Sequence, residues 1–180
     1  MRHALHCTTL ALALSMTLVA CQARQGEDAA PAKAATAAPK ALPTQTIASQ
    51  NGQVTVTTIA AGLEHPWSVA VLPDGGFLVT ERPGRLRHVS ADGAGSAPIN
   101  GVPGGWAEGQ GGLLDVVLAP DFATSKKIFL SYSEAGPDGS AGTAVSTATL
   151  GDGALSDVKP FYRQEPKLVG PNHFGSRIAF

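Results

Sequence analysis

The chain has 180 residues, 43% apolar and 15% charged, enough to bury the core of one domain. Its 13 Lys and Arg against 14 Asp and Glu leave a formal net charge of -1, which provides no electrostatic footprint for nucleic acid or an anionic membrane surface. With 21 Gly, 13 Pro and only 6% aromatic residues, a turn-dense β protein is expected rather than a helical bundle.

Residues 1–20 have the build of an export signal: Arg2 in a short basic head, an apolar run over residues 10–19 and small residues ahead of Cys21. The stretch is too short to span a membrane. Leu18-Val19-Ala20-Cys21 resembles the bacterial lipobox, which implies cleavage before Cys21 and acylation of its thiol and new amino group. The plainer alternative is a secretory peptide with a cysteine near its cleavage point. Gln22 after the lipidated position implies a periplasmic protein anchored in the outer membrane. Cys7 would leave with the signal and Cys21 would carry lipid, so no thiol remains for a disulfide or a metal. Residues 21–53 are rich in Ala, Pro, Lys, Gln and Thr, and read as a disordered tether that cannot form a core.

Residues 54–180 read as the folded domain. Val54-Thr55-Val56-Thr57-Thr58-Ile59 is a β-branched run, which favours a strand through stiff side chains. Alternation predicts strands over 68–72, 77–80 and 85–89, separated by the turn formers Pro73-Asp74-Gly75-Gly76 and Pro83-Gly84. A second set is predicted over 112–118, 127–132 and 143–150, with a fourth strand near 161–164. The sets repeat. Val69-Ala70-Val71-Leu72-Pro73-Asp74 aligns with Val116-Val117-Leu118-Ala119-Pro120-Asp121 at an offset of 47 residues, close to the roughly 40 to 50 of a four-stranded propeller blade. Ser176-Arg177-Ile178-Ala179-Phe180 stands where a third set would open with a strand. The span from His65 to Phe180 then amounts to about two and a half blades, and the chain reads as a truncated propeller with exposed apolar faces.

Three histidines remain after the signal. His65 precedes Pro66-Trp67 at the start of a strand and fits a structural role; His88 alternates with Arg85 and Arg87 and fits a solvated surface. His173 lies on a loop between Pro171-Asn172 and Phe174-Gly175-Ser176, the kind of place where sites are built. An imidazole there can take a proton from a hydroxyl while the attached carbon gives up hydride. Gln110 stands among glycines in Gly109-Gln110-Gly111-Gly112-Leu113-Leu114, where the amide could meet a ligand or simply be exposed on a turn. Both segments read as pieces of a cofactor pocket whose glycines let a planar ligand approach the backbone. No phosphate-loop, Ser-His-Asp or zinc-site spacing is present in this part.

Together, Leu63-Glu64-His65-Pro66-Trp67, the glycine-flanked Gln110 segment through Pro120-Asp121-Phe122, and Asn172-His173-Phe174-Gly175-Ser176-Arg177 resemble the glucose/sorbosone dehydrogenase family, in particular its soluble aldose sugar dehydrogenases. That resemblance implies an all-β, six-bladed β-propeller holding pyrroloquinoline quinone (PQQ) and calcium near its axis. It also implies oxidation of aldose sugars at the C1 hydroxyl to lactones, with electrons passed to an external quinone or cytochrome. Carried over by motif, His173 is the general base and Gln110 lines the cofactor pocket. The calcium ligands and the remaining cofactor-gripping residues are implied farther along than this chain reaches, so no metal ligand is assigned and the 180 residues alone are expected to be inactive. Two other readings are a lipid-anchored, non-catalytic propeller that binds partners, and a propeller lactonase needing a metal held by converging Glu, Asn and Asp side chains, against which the scarcity of acids near the expected axis argues.

Overall fold

The computed structural model describes residues 43–180. The export signal over 1–20, the lipidation site Cys21 and the tether up to residue 42 lie outside the described residues. The expected tether extends too far, however, because β1 (Thr44–Ser49) is a strand paired antiparallel with β2 (Gly52–Thr57). Pairing of Ser49 with Gly52 leaves Gln50-Asn51 as a two-residue turn, and Gly52 sits at φ 124°, a backbone region that glycine enters without steric cost. The β-branched Thr44, Thr46 and Ile47 supply the strand preference that the Ala/Pro-rich stretch before them lacks.

Two larger antiparallel sheets follow. The first is a meander of β3 (Pro66–Val71), β4 (Phe77–Glu81), β5 (Arg85–Val89) and β6 (Gly95–Ile99), paired in that order. The second contains β7 (Leu113–Leu118), β8 (Lys127–Ala135), β9 (Ser140–Leu150) and β10 (Leu155–Arg163) in order β10-β9-β8-β7, with β11 (Leu168–Val169) also pairing β9. A short helix α1 (Phe122–Ser125) links β7 to β8.

The repeat read from sequence is physical. Pro66 and Leu113 open the first strands of the two sheets, and the Ser68 hydroxyl donates to Asp115 Oδ1 at 2.6 Å, joining residues 47 apart. Gly75 N–H closes a turn on Leu72 O at 2.9 Å, and Phe122 N–H closes the equivalent turn on Ala119 O at 2.9 Å. Leu72, Leu78, Leu86 and Ile99 from the first sheet share one core with Leu113, Val116, Ile128, Leu130 and Tyr132 from the second. Two four-stranded meanders stacked this way, with β3 beside β7, are adjacent β-propeller blades. Faces turned away from the shared core expose Val69 and Val71 on one side and Phe161 on the other.

Two expectations about strands need correcting. β6 was not foreseen because Gly95-Ser96-Ala97-Pro98 has little strand preference; it forms as the outer strand, where Pro98 is tolerated, and buries Ile99 in the shared core. Residues 176–180, expected as a strand opening a third blade, are not one. Among the described residues no strand offers them a ladder, and Ser176 O and Ile178 N–H bond to the side chains of Ser131 and Asp115 instead.

Candidate functional site

Residues 171–178 have no helix or strand, yet they are closely tied to the second sheet. Gln110 N–H donates to Pro171 O at 2.8 Å, and His173 N–H donates to Gln110 Oε1 at 3.0 Å. The two residues singled out from sequence, 63 positions apart, therefore meet directly. His173 has φ 69°, unusual for a residue with a side chain, so its backbone is held by partners rather than by preference. Next to it, Phe174 is buried against Leu114 and Ala141, with Trp67 and Trp106 packed on the cluster and the Trp106 ring edge-on to Phe174 at 6.1 Å. Phe174 thus anchors the loop while His173 stays exposed at its rim.

A cleft of about 260 Å³ opens here, lined by Trp67, Arg82, Gln110, Leu114, His173 and Phe174. A second of about 250 Å³ lies on the other side of the loop, between His173 and Leu168-Val169. His173 borders both. Arg82 is the only cation lining the first cleft, and among the described residues it has no ion-pair partner, whereas Arg85 and Arg87 pair with Glu81. The Gln110 side-chain NH2 has no hydrogen-bond partner among the described residues and is free to donate.

The three glycines flanking Gln110 are required by the fold itself. A Cβ on Gly109 would stand 2.5 Å from Pro171 O, one on Gly111 2.4 Å from Trp106 O, and one on Gly112 2.2 Å from Arg82 O. At these three positions the close approach that excludes a side chain is of the chain to itself, whereas Gly175, which lines the cleft, has nothing within 4 Å of an added Cβ.

Glu81, fully buried under the first sheet's end, organises the other rim. Its carboxylate takes Glu64 N–H at 2.5 Å and Arg85 Nε at 2.7 Å, and Arg85 Nη2 reaches Glu64 at 2.6 Å. Burial pushes the Glu81 carboxyl upward, but the Glu64 N–H and the Arg85 and Arg87 guanidiniums outweigh it and hold it below the ordinary carboxylate range. This network places Leu63-Glu64-His65-Pro66-Trp67 and so presents the Trp67 indole to the cleft. His65 precedes β3 rather than starting it, is exposed, and has φ 47°; it lines neither cleft. His88 is half-buried rather than solvated, beside a separate cavity of about 300 Å³ with Leu72, Ile99 and Phe122. Among the described residues no group of three or more His, Cys, Asp or Glu could hold a metal ion.

With this geometry in view, the comparisons with known proteins decide the family. The profile described as Glucose / Sorbosone dehydrogenase matches residues 63–180. The chain belongs to that family. An aldose sugar dehydrogenase of Escherichia coli is 55% identical over 130 residues, covering 71% of this chain and 35% of the relative. The crystal structure of the soluble aldose sugar dehydrogenase from Escherichia coli, in its apo-form, superposes with a TM-score of 0.65 at 54% identity, over 68% of this chain and 36% of that one. The PQQ-bound form of an aldose sugar dehydrogenase from Streptomyces coelicolor gives a TM-score of 0.62 at 29% identity, over 79% of this chain and 40% of that one. The chain therefore spans about a third of the length of the curated relative.

Sequence reasoning did not single out Trp67, Arg82 and Phe174, which line this cleft, or the hydrogen-bonded cluster of Ser68, Asp115 and Arg177 beside it. For Asp115 a signal existed: a lone acid inside Leu113-Leu114-Asp115-Val116-Val117-Leu118, an otherwise apolar strand, is rare without a partner.

Proposed function

We propose that the protein carrying this chain oxidises aldose sugars at the C1 hydroxyl to lactones using PQQ, with His173 as the general base. The observation that supports it is the meeting of His173 and Gln110 at the rim of a cleft that also holds an indole and an arginine without an ion-pair partner. Those side chains suit a planar, anionic quinone: the Arg82 guanidinium complements carboxylate charge, the Trp67 ring offers a flat face, and the free Gln110 NH2 can donate to a carbonyl or hydroxyl oxygen. When bound, PQQ supplies a two-electron acceptor for hydride. The His173 imidazole takes the proton from the C1 hydroxyl, and the buried Phe174 beside it keeps that imidazole at the rim. Gln110 fixes the backbone of His173 through its Oε1 and orients the sugar or quinone through its NH2. Calcium has no fitting cluster of three or more His, Cys, Asp or Glu among the described residues.

One cation in a cleft of about 260 Å³ offers little grip on a cofactor with three carboxylates, so the 180 residues alone are proposed to hold PQQ weakly. A lipid-anchored, periplasmic location, with electrons leaving to an external quinone or cytochrome, completes the reading. The test is reconstitution of the full-length protein with PQQ and calcium, following dye reduction by aldoses. His173→Ala is expected to lower kcat by about 10² to 10⁴-fold, the usual worth of a general base, while PQQ still binds. Full turnover by that variant refutes the assignment.

A further inference from the structure

Residues 171–178 have no ladder of their own, and three strands of the adjoining sheet each supply a side chain that holds them. From β9, Thr143 Oγ1 donates to Phe174 O at 2.6 Å; from β8, Ser131 Oγ donates to Ser176 O at 2.7 Å; from β7, Asp115 Oδ2 accepts Ile178 N–H at 2.9 Å. His173 and Ser176 both sit at positive φ, 69° and 94°, so the loop is in a conformation that its own residues do not favour.

Asp115 stands apart from the other two. It is charged and has no solvent exposure, and its carboxylate takes four donors: Ser68 Oγ at 2.6 Å, Val116 N–H at 3.1 Å, Arg177 Nη1 at 2.9 Å and Ile178 N–H at 2.9 Å. Two of those donors belong to the loop, four and five residues beyond His173. The Arg177 guanidinium also lies over the Trp67 ring, 5.2 Å from its centroid, and Trp67 lines the cleft. The sheets are already joined by a shared apolar core, so the carboxylate is not needed to keep them together. What it uniquely joins is the start of the first sheet, the start of the second and the histidine loop.

We infer that Asp115 is a positioning residue for His173, clamping the loop from below through Arg177 and Ile178 while Gln110 holds it from the side. The inference rests on the function proposed above. A general base must be placed to a fraction of an ångström, and a misplacement of about 1 Å costs about a hundredfold in rate.

The experiment uses the full-length protein with Asp115→Asn, which keeps the shape and removes the charge, and with the pair Arg177→Gln and Arg177→Lys at a mostly exposed position where folding is not at risk. Amide hydrogen exchange on the apo protein is read beside dye reduction on the PQQ-loaded one. Asp115→Asn is expected to lose protection over 171–178 while β8 and β9 keep theirs, and to lose about 10 to 100-fold in kcat with sugar KM and PQQ affinity nearly unchanged. Arg177→Gln should move the same way, and Arg177→Lys, which keeps a cation at the carboxylate, should lie nearer the wild type. Unchanged exchange over 171–178 in both Asp115→Asn and Arg177→Gln overturns the inference, as does a loss of protection spread evenly over the second sheet. Should His173→Ala retain full turnover while Asp115→Asn still loosens the loop, the dehydrogenase reading fails and the clamp on the loop stands without a catalytic purpose.

Discussion

Replacing Gly112 by alanine tests whether the glycine-rich segment is shaped by the fold. Gly112 has φ 132°, and an added Cβ would lie 2.2 Å from Arg82 O and 3.0 Å from Arg82 C. Neither side can retreat freely. Arg82 O accepts Leu113 N–H at 3.0 Å, Gly112 N–H donates to Ser133 Oγ at 2.7 Å, and Ser133 N–H donates to Gly112 O at 3.0 Å. The backbone conformation costs an alanine about 1–3 kcal/mol. Overpacking adds about 1–3 kcal/mol, or the Leu113–Arg82 hydrogen bond breaks at about 1 kcal/mol. The expected loss is about 2–6 kcal/mol, a large part of the roughly 5–15 kcal/mol that holds a domain. Gly153→Ala is the control: φ is 74°, with nothing within 4 Å of the added Cβ, so only about 1 kcal/mol is expected. Urea unfolding followed by circular dichroism, with midpoints compared at equal slope, measures the difference. Equal midpoints for the two variants would refute the steric account.

Glu81 makes stability depend on pH in a fixed direction. Because its folded pKa is lowered, its contribution is fully present above the unfolded carboxylate value of about 4.3 and fades as pH falls from there through the folded value. The stability gap between wild type and Glu81→Gln, measured by urea titration, should therefore be wide near neutral pH and narrow in acid; a gap of the same size at both contradicts the linkage. At the other end of the chain, Cys21→Ser should abolish acyl labelling and membrane recovery of the protein, and unchanged labelling excludes the lipobox reading.

What could be read in the sequence were features written locally. Arg85–Val89 alternates cleanly and is a strand with those bounds, and Pro73-Asp74 and Pro120-Asp121 close the same turn. β6 could not be read, because its strand character comes from pairing with β5 and burial of Ile99 rather than from its own residues. The opposite error came at 176–180, where β-favouring residues lack a strand to pair with among the described residues. His173 and Gln110 stood out through their loop settings, but their contact joins positions 63 apart, and the Asp115 clamp joins positions 62 and 63 apart. No local periodicity encodes such bonds.

The repeat itself separates scaffold from site. At the offset of 47 residues that joins Ser68 to Asp115, the equivalent of Gly109 is Gly62, and both have positive φ, 51° and 72°. The equivalent of Gly112 is His65, again at positive φ, and the equivalent of Leu114 is Trp67, both packed in the cluster around Phe174. A positive φ therefore recurs at the start of both inner strands, with His65 at 47° where Gly112 is at 132°. The side chains do not: Leu63 stands where Gln110 stands in the second unit, and Ser68 where Asp115 does. At the far end, Pro73-Asp74 and Pro120-Asp121 recur as residues as well as shape, because a turn constrains both. The end of the inner strands where positive φ recurs and the side chains diverge is the end where Trp67, Gln110 and His173 gather, so the pattern of divergence between the two blades points to the same cleft as the geometry.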